Sequence, residues 1–317
     1  MKLQQLRYAL EVYRRNLNVS EAAESLFTSQ PGISKQIRLL EDELGIQIFI
    51  RSGKRIVSVS QPGQAVLQLA ERVLHDVQSI KNIGSEFTEQ DSGSLSIATT
   101  HTQARYVLPD VVARFLQLYP KVQLTIRQGS PTEIAQMAAA GEVDFAIVTE
   151  TLPGEYHLRT LPCGSWTHAV IVPHDHPILD LPHPLPIEAL ANYPLITYEF
   201  AFHPGNNIGR AFHKANLTDQ VTVALAAADT DVLKTYVKLG LGVGIMAKLA
   251  YDVTADQSLC MVDASHLFEP STISLAMRPD SYLRRYTYDF ISLFSPDLTQ
   301  SRIDKVLYGA IEEDFSI

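Results

Sequence analysis

The sequence predicts a small, mostly helical head tied by one long helix to an α/β body of two lobes. Three observations carry this. Apolar residues recur at helical spacing through residues 1–44 and then give way to a short strand-like hairpin. A single apolar stripe runs helically over residues 62–87. From residue 95 onward, strand-like and helix-like segments alternate, the pattern of sheets joined by right-handed crossovers. At 317 residues the chain also exceeds one ordinary core.

In the head, Leu3, Leu6, Leu10 and Tyr13 fall on one helical face. A second helix starts after Asn18-Val19-Ser20, with Ser20 as the expected N-cap and Ala22, Ala23 and Leu26 turned inward. Thr28-Ser29-Gln30-Pro31-Gly32 reads as a short polar turn, and Pro31 suits a first helical turn, where its missing N–H costs nothing. Ile33, Ile37 and Leu40 form the stripe of a third helix. Residues 47–51 and 56–59 are strand-like around the turn Ser52-Gly53-Lys54-Arg55, a hairpin with a basic tip. The stripe Val66, Leu69, Ala70, Val73, Leu74, Val77, Ile80 then calls for a partner helix. The polar run Thr88-Glu89-Gln90-Asp91-Ser92-Gly93 ends it.

In the body, strands are expected at 95–99, 122–128, 145–148, 169–172, 195–198, 243–246 and 273–276. Helices are expected at 105–119, 132–140, 208–216, 231–239 and, last, 283–293. The fold class is therefore an α/β C-terminal domain of two Rossmann-like lobes, behind an N-terminal domain with the plan of a winged helix-turn-helix and a long linker helix. The expected domains are residues 1–60, the linker helix 61–92, and the body 93–317. Within the body, lobe I covers about 93–162 and 269–317, and lobe II about 163–268.

The net charge of −9 hides an asymmetry: residues 1–60 hold nine basic against six acidic side chains, which leaves −12 for the rest. A mildly basic head on an acidic body suits a chain whose first domain alone meets phosphate. No run approaches the roughly 20 apolar residues of a bilayer span, and Met1-Lys2-Leu3-Gln4-Gln5-Leu6-Arg7 lacks a secretory apolar core. Cys163 and Cys260 are too few for a disulfide framework and too far apart for a zinc motif. The expectation is a cytoplasmic protein without membrane contact, metal or cofactor.

The run from Val19 to Arg38 has the form of a helix-turn-helix. Ala22-Ala23 supplies the small contact such a tight inter-helix angle requires. The second helix should offer short polar or basic side chains at its N-terminal end, because that end enters the major groove of double-stranded DNA. Ser29, Gln30, Pro31, Ser34 and Lys35 occupy it. Gln can bond an adenine edge, Lys can meet guanine, and Ser serves base or phosphate. Arg38, with Arg51, Lys54 and Arg55 from the hairpin, is better placed for phosphate. A three-helix bundle for protein contact is one alternative, and hairpin and linker helix together weigh against it; a stand-alone small-molecule-binding protein, which would show no salt-dependent DNA affinity, is another.

These residues also carry a resemblance. Ala22-Ala23, then Thr28-Ser29-Gln30-Pro31-Gly32-Ile33-Ser34-Lys35-Gln36-Ile37-Arg38 and Leu39-Leu40-Glu41-Asp42-Glu43-Leu44-Gly45, resemble the LysR-type transcriptional regulators, as do Phe49, Arg51 and the turn Ser60-Gln61-Pro62-Gly63. Ile97 to Tyr106, Gln128-Gly129-Ser130-Pro131, Asp144-Phe145-Ala146-Ile147, Asp231 to Val237 and Gly240-Leu241-Gly242-Val243-Gly244 are similar to the CysB/Cbl branch. The resemblance covers nearly the whole chain. It implies a two-lobed effector domain like periplasmic binding proteins and a homotetramer acting with RNA polymerase. Such a regulator activates sulfur-assimilation and cysteine-biosynthesis promoters and represses its own gene. It further implies acetylserine as effector with sulfate or thiosulfate competing, or, for a Cbl-like regulator of sulfonate and sulfate-starvation genes, an adenylylated sulfate.

The effector cleft is expected where strand 95–99 ends in Thr100-His101-Thr102-Gln103 before a helix, since ligands of open α/β sheets bind at carboxyl ends of strands. Gly129-Ser130-Pro131-Thr132 repeats this after the next strand, and Thr149 ends the third. Thr100, Thr102, Gln103, Ser130 and Thr149 are neutral donors suited to a small, weakly anionic ligand; Thr and Ser also serve there as ordinary helix caps. Where relatives carry a Thr-Gly-Arg-Ser-like segment, this chain has His203-Pro204-Gly205-Asn206. His203 is either a ligand donor in place of a hydroxyl or a plain surface residue.

Enzyme readings find little support. Gly240-Leu241-Gly242-Val243-Gly244 follows a helix and precedes a strand, the reverse of the order a dinucleotide site requires. His174-Asp175-His176 lies between prolines with no completing ligand pattern. No nucleophile elbow or phosphate-binding Gly-Lys-Ser/Thr motif is present.

Overall fold

The computed structural model describes residues 1–53, 55–86, 91–150, 156–203, 205–279 and 281–309. The chain forms two compact units, Met1–Gln90 and Asp91–Ile317.

In the first unit, α1 (Leu3–Arg14), α2 (Val19–Ser25) and α3 (Gln30–Leu44) pack around Leu6, Leu10, Ala22, Ala23, Ile33, Ile37 and Leu40. Leu3 and Tyr13, expected inward, are exposed; the buried face of α1 is Gln5, Leu6, Ala9, Leu10 and Val12. Asn18, not Ser20, caps α2, because its side-chain oxygen reaches the backbone N–H groups of Ser20 and Glu21. Ser29 caps α3 by accepting from the Gly32 N–H at 3.3 Å, with Pro31 in the first turn. β1 (Phe49–Ser52) and β2 (Arg55–Val59) pair antiparallel as the expected hairpin.

The long helix α4 (Gln61–Glu86) starts against that hairpin. The Ser60 hydroxyl accepts from the Gly63 N–H at 2.9 Å and donates to the Gln47 carbonyl. A Cβ at position 63 would stand 2.2 Å from the Ile48 carbonyl oxygen, so this approach requires glycine. Leu67 and Ala70 bury into the head, whereas Leu69 (58% exposed), Val73 (38%) and Ile80 (67%) face outward. The stripe read from sequence as one face thus divides into two.

The second unit begins with β3 (Ser92–Thr99), α5 (His101–Tyr106), α6 (Leu108–Leu118), β4 (Lys121–Gln128), α7 (Pro131–Ala140), β5 (Phe145–Val148) and β6 (Arg159–Trp166). It continues with β7 (His168–Pro173), α8 (Ile187–Ala191), β8 (Leu195–Tyr198), α9 (Asn207–Lys214), β9 (Val223–Ala227), α10 (Thr230–Lys238), β10 (Val243–Ala247) and β11 (Leu259–Asp263). It closes with β12 (Ser271–Met277), α11 (Arg285–Phe294) and α12 (Gln300–Tyr308). One sheet has the order β4-β3-β5-β12-β6 and the other β11-β7-β10-β8-β9. The chain therefore leaves the first lobe after β6, builds the second, and returns with β12.

Within each lobe three parallel strands end on one edge: β3, β4 and β5 in the first, β8, β9 and β10 in the second. The helix expected over 105–119 is instead α5 and α6, broken at Val107. Pro109 has no N–H to continue the ladder and favours a fresh helix start. Strands β6, β9 and β11 and helices α8 and α12 were not anticipated, and the helix expected to be last is followed by α12.

In the head, one carboxylate joins α3 to the hairpin. Glu41, 6% exposed, accepts from the backbone N–H groups of Ile48 and Phe49 at 2.9 and 3.0 Å and pairs with Arg51 at 2.7 Å. Replacing Glu41 with Ala leaves a guanidinium and two N–H groups unmatched. We expect Glu41→Ala to cost the head about 2 kcal/mol and Glu41→Gln, which keeps an acceptor, to cost less. Urea denaturation followed by circular dichroism measures this, and an unchanged midpoint for Glu41→Ala would contradict it.

Candidate functional sites

The first site is the exposed end of α3. Ser29, Gln30, Pro31, Lys35 and Arg38 are exposed and Ser34 is half-buried. The Gln30 amide reaches Ser34 Oγ only at 3.5 Å, too long to fix it. Neither Lys35 nor Arg38 pairs with an acidic group among the described residues, and Arg55 at the hairpin tip is exposed. Phe27, in the turn before α3, is 98% exposed at φ +50°, and no sequence signal gave it a role. Arg51 departs from the expectation. Its guanidinium is held by Glu41, so it braces the hairpin rather than standing free for phosphate. Lys54 lies outside the described residues.

The second site is a cavity between the lobes of the second unit, about 400 Å³ with its open mouth included. Its walls are the carboxyl ends of all six parallel strands. From the first lobe come Thr100, Thr102 and Gln103 after β3, Gly129 and Ser130 after β4, Thr149 after β5, and Trp166 at the end of β6. From the second come Tyr198 and Phe200 at β8, Ala228 after β9, and Ala247 and Leu249 at β10. Five sequence-predicted residues thus meet in one place. His203 does not: it is exposed and absent from the lining, and Phe200, three residues earlier, takes that part of the wall. Its neighbour Pro204 lies outside the described residues.

No charged side chain lines the cavity among the described residues. Gln103 is 1% exposed, and its Oε1, like Thr100 Oγ1, has no hydrogen-bond partner among the described residues. Buried polar atoms left open in this way mark a place for a polar ligand. The Trp166 indole donates to the Thr149 carbonyl at 3.1 Å, which fixes its ring beside them. Ser130 is partly spent as the cap of α7, in a reciprocal pair with Glu133.

The lobes touch where α5 meets α10. Thr102 Oγ1 and Thr230 Oγ1 share a 2.8 Å hydrogen bond, and Tyr198 OH lies 2.9 Å from Thr230 Oγ1. Tyr106 OH donates to Asp231 at 2.5 Å, and Arg105 Nε pairs with it at 2.6 Å. Burial works to raise the Asp231 carboxyl, but the Tyr106 hydroxyl and the Lys234 and Arg105 charges outweigh it and hold the group below its ordinary value. His101, Asp229 and Asp231 bring potential ligand atoms within 4.8 Å of one another. With Arg105 and Lys234 already on Asp231, that cluster is an ion-pair network. Sequence reasoning assigned no role to Tyr106, Thr230 or Asp231, nor to the second lobe's apolar wall; on the first lobe's side the lone tryptophan, Trp166, was an available signal that it passed over.

Comparison with known proteins covers both regions of the chain. Residues 3–64 match the family of bacterial regulatory helix-turn-helix proteins, lysR family, and residues 88–298 match the LysR substrate binding domain. The chain is 47% identical to the HTH-type transcriptional regulator SsuR of Burkholderia cenocepacia, over 98% of this chain and all of that one. It is 48% identical to the HTH-type transcriptional regulator CysB of Haemophilus influenzae, over 96% of this chain and 93% of that one. The crystal structure of the cofactor-binding domain of the Cbl transcriptional regulator superposes with a TM-score of 0.62 at 39% identity, covering 68% of this chain and 94% of that one.

Next to the cavity, burial pushes the Glu150 carboxyl up to about 7, and the Arg210 charge offsets only part of this. Below the ordinary value of 4.5 the folded and unfolded chains both keep the proton. As pH rises from there toward 7 the unfolded chain releases it and the folded one does not, so native stability falls by up to about 1.4 kcal/mol per pH unit. Glu150→Gln should therefore raise the Tm of the second unit at pH 8 and leave it nearly unchanged at pH 4. Thermal denaturation across that range tests this; an equal gain at both ends would assign the effect to packing.

Proposed function

The chain belongs to the LysR family of transcriptional regulators, in its CysB/Cbl branch, and from that premise we propose that it controls sulfur-assimilation and cysteine-biosynthesis genes. It is a DNA-binding regulator rather than an enzyme. On this reading α3 enters the major groove of promoter DNA, with Gln30, Ser34 and Lys35 at base edges and Arg38 and Arg55 on phosphates. The supporting observation is that the N-terminal end of α3 is exposed and neither Lys35 nor Arg38 pairs with an acidic group among the described residues, while Ile33, Ile37 and Leu40 on the opposite face are buried in the core.

The cavity then receives the effector, acetylserine, with sulfate and thiosulfate as competitors. The unmatched Thr100 and Gln103 support this, as does the identity to CysB. A Cbl-like response to sulfate starvation is the second reading, supported by the Cbl cofactor-binding domain. A thermal-shift panel of acetylserines, sulfate, thiosulfate and adenylyl sulfate separates the two, since an effector stabilises the fold by mass action. An effector that favours one arrangement of the lobes by ~1.4 kcal/mol shifts the populations tenfold. The outward stripe of Leu69, Val73 and Ile80 on α4 supports pairing of two chains through that helix, within a homotetramer that engages RNA polymerase at the promoter. No described helix is long and apolar enough to cross a membrane, and the work assigned here is cytoplasmic.

Lys35→Ala and Ser34→Ala should each weaken promoter binding about tenfold or more while the effector's thermal shift persists. Equal affinity in a gel-shift titration removes those residues from the interface. Thr100→Val should abolish the response to effector with DNA binding in its absence retained; an unaltered response relocates the ligand site.

A further inference from the structure

Two features of the sequence stand outside both sites: the run His174-Asp175-His176 and the two cysteines, Cys163 and Cys260. The structure gives the members of each different surroundings. His176 serves the fold: its Nδ1 accepts from the Ile178 N–H at 3.2 Å, and its ring meets Tyr193 edge-on at 4.7 Å. His174 is exposed and lies against Cys260. The antiparallel register of β11 on β7 sets Cys260 opposite Val172. His174 follows two positions after Val172, so Cys260 and His174 share a face and meet on the diagonal.

The partners decide which atom holds which proton. His174 Nε2 lies 2.5 Å from the Gln257 carbonyl oxygen. A carbonyl only accepts, so Nε2 carries the hydrogen and Nδ1 keeps its lone pair. Nδ1 is 2.8 Å from Cys260 Sγ, and the thiol donates to it. A nucleophile in contact with a base, the base oriented in turn by a third group, is the arrangement that activates a thiol. Cys163 supplies the contrast within the same chain. It is half-buried, as Cys260 is, but its thiol donates to the Ile273 carbonyl at 3.4 Å, which cannot take the proton. Burial also pushes the Cys163 thiol up to about 11.

We propose that Cys260 and His174 form a nucleophilic pair on the second lobe that takes up small disulfides as a covalent adduct. Neither residue lines the cavity, so this site is separate from the effector's. In the reaction His174 Nδ1 accepts the thiol proton and the Cys260 sulfur attacks one sulfur of the disulfide. The original S–S bond breaks as the new one forms. The other half leaves as a thiolate and recovers the proton from the imidazolium. Cys260 is oxidised and the departing half is reduced, so the step balances with the disulfide as its only reagent. It is stoichiometric, and the adduct stays on β11 until another thiol displaces it.

In the full-length protein, the aromatic disulfide dithiobis(nitrobenzoate) releases one coloured thionitrobenzoate for each thiol that reacts, and peptide mass mapping identifies which thiol it was. At pH 7 Cys260 should react about tenfold or more ahead of Cys163. Cys260→Ser should abolish the fast phase and Cys163→Ser should keep it. His174→Ala should slow the labelling of Cys260 about tenfold or more at an unchanged Tm, and imidazole added to the buffer should restore part of that rate. With cystine as the probe, a half-cystine should accumulate on Cys260 of the native chain and far more slowly on His174→Ala. Equal rates at the two thiols would overturn the proposal. So would His174→Ala labelling as fast as the native protein, or a loss of rate that imidazole leaves unrestored, which would assign the effect to packing.

Discussion

The cavity exists because the first turn of α5 touches the first turn of α10. The Thr102–Thr230 hydrogen bond lies at the centre of that contact, with both side chains buried and a third hydroxyl, Tyr198, closing the chain. Water is excluded there, and hydrogen bonds in such surroundings are strong to make and expensive to leave unmade. Asp231 ties the margin of the same contact to Tyr106 and Arg105. From behind, Lys234 anchors α10 through Asp256 at 2.8 Å and the Ala250 carbonyl at 2.9 Å, and its ammonium lies 5.1 Å from the centre of the Tyr106 ring. Thr102 belongs both to the lobe contact and to the cavity wall. A ligand that moves it acts directly on the joint between lobes, without any longer relay.

What could be read from the sequence follows burial. Strands β5, β8 and β10 lie inside their sheets, and their nearly unbroken apolar runs announced them; β3, also inside, showed itself by Leu95, Ile97 and Ala98 among small polar residues. The strands that escaped notice, β6, β9 and β11, are all edges. An edge strand pairs on one side only and tolerates residues that a central strand rejects. In β6, Pro162 and Gly164 interrupt the pattern, and in β9 most side chains are exposed. The break between α5 and α6 was visible in principle, because Pro109 stands in the run, but the apolar spacing on both sides hid it. Helix α3 was legible because its three inward isoleucine and leucine positions recur at helical spacing, although it starts at Gln30, inside the segment read as a turn.

The candidate site was half legible for a related reason. Hydroxyl and amide side chains at strand ends stand out against an apolar run, so Thr100, Gln103 and Thr149 could be found from one lobe's sequence alone. Phe200, Ala247 and Leu249 are apolar residues at the ends of apolar strands, and nothing in the sequence distinguishes them from core. His203 drew attention through its chemistry, yet the chain turns it outward. The lobe contact joins residues more than 120 positions apart, a relation no local spacing encodes. Glu41 was hidden differently: in a helix rich in charge, the one carboxylate that is buried looks like its solvated neighbours.

The two sites also handle charge in opposite ways, and this suits their tasks. On the proposed DNA face, exposed cations are set to meet a phosphate backbone whose counterions are released on binding, a large and salt-dependent gain. At the cavity, the described lining holds neutral groups only. Hydrogen bonds to an ion from neutral groups are weaker than those made by a paired guanidinium, and the ligand gives up its hydration without gaining a counter-charge. Affinity at such a site stays moderate unless apolar contact adds to it. A full counter-charge would bind any small oxyanion tightly and release it slowly. A neutral lining such as this one instead keeps the affinity for any small ion moderate, so that occupancy stays responsive to concentration.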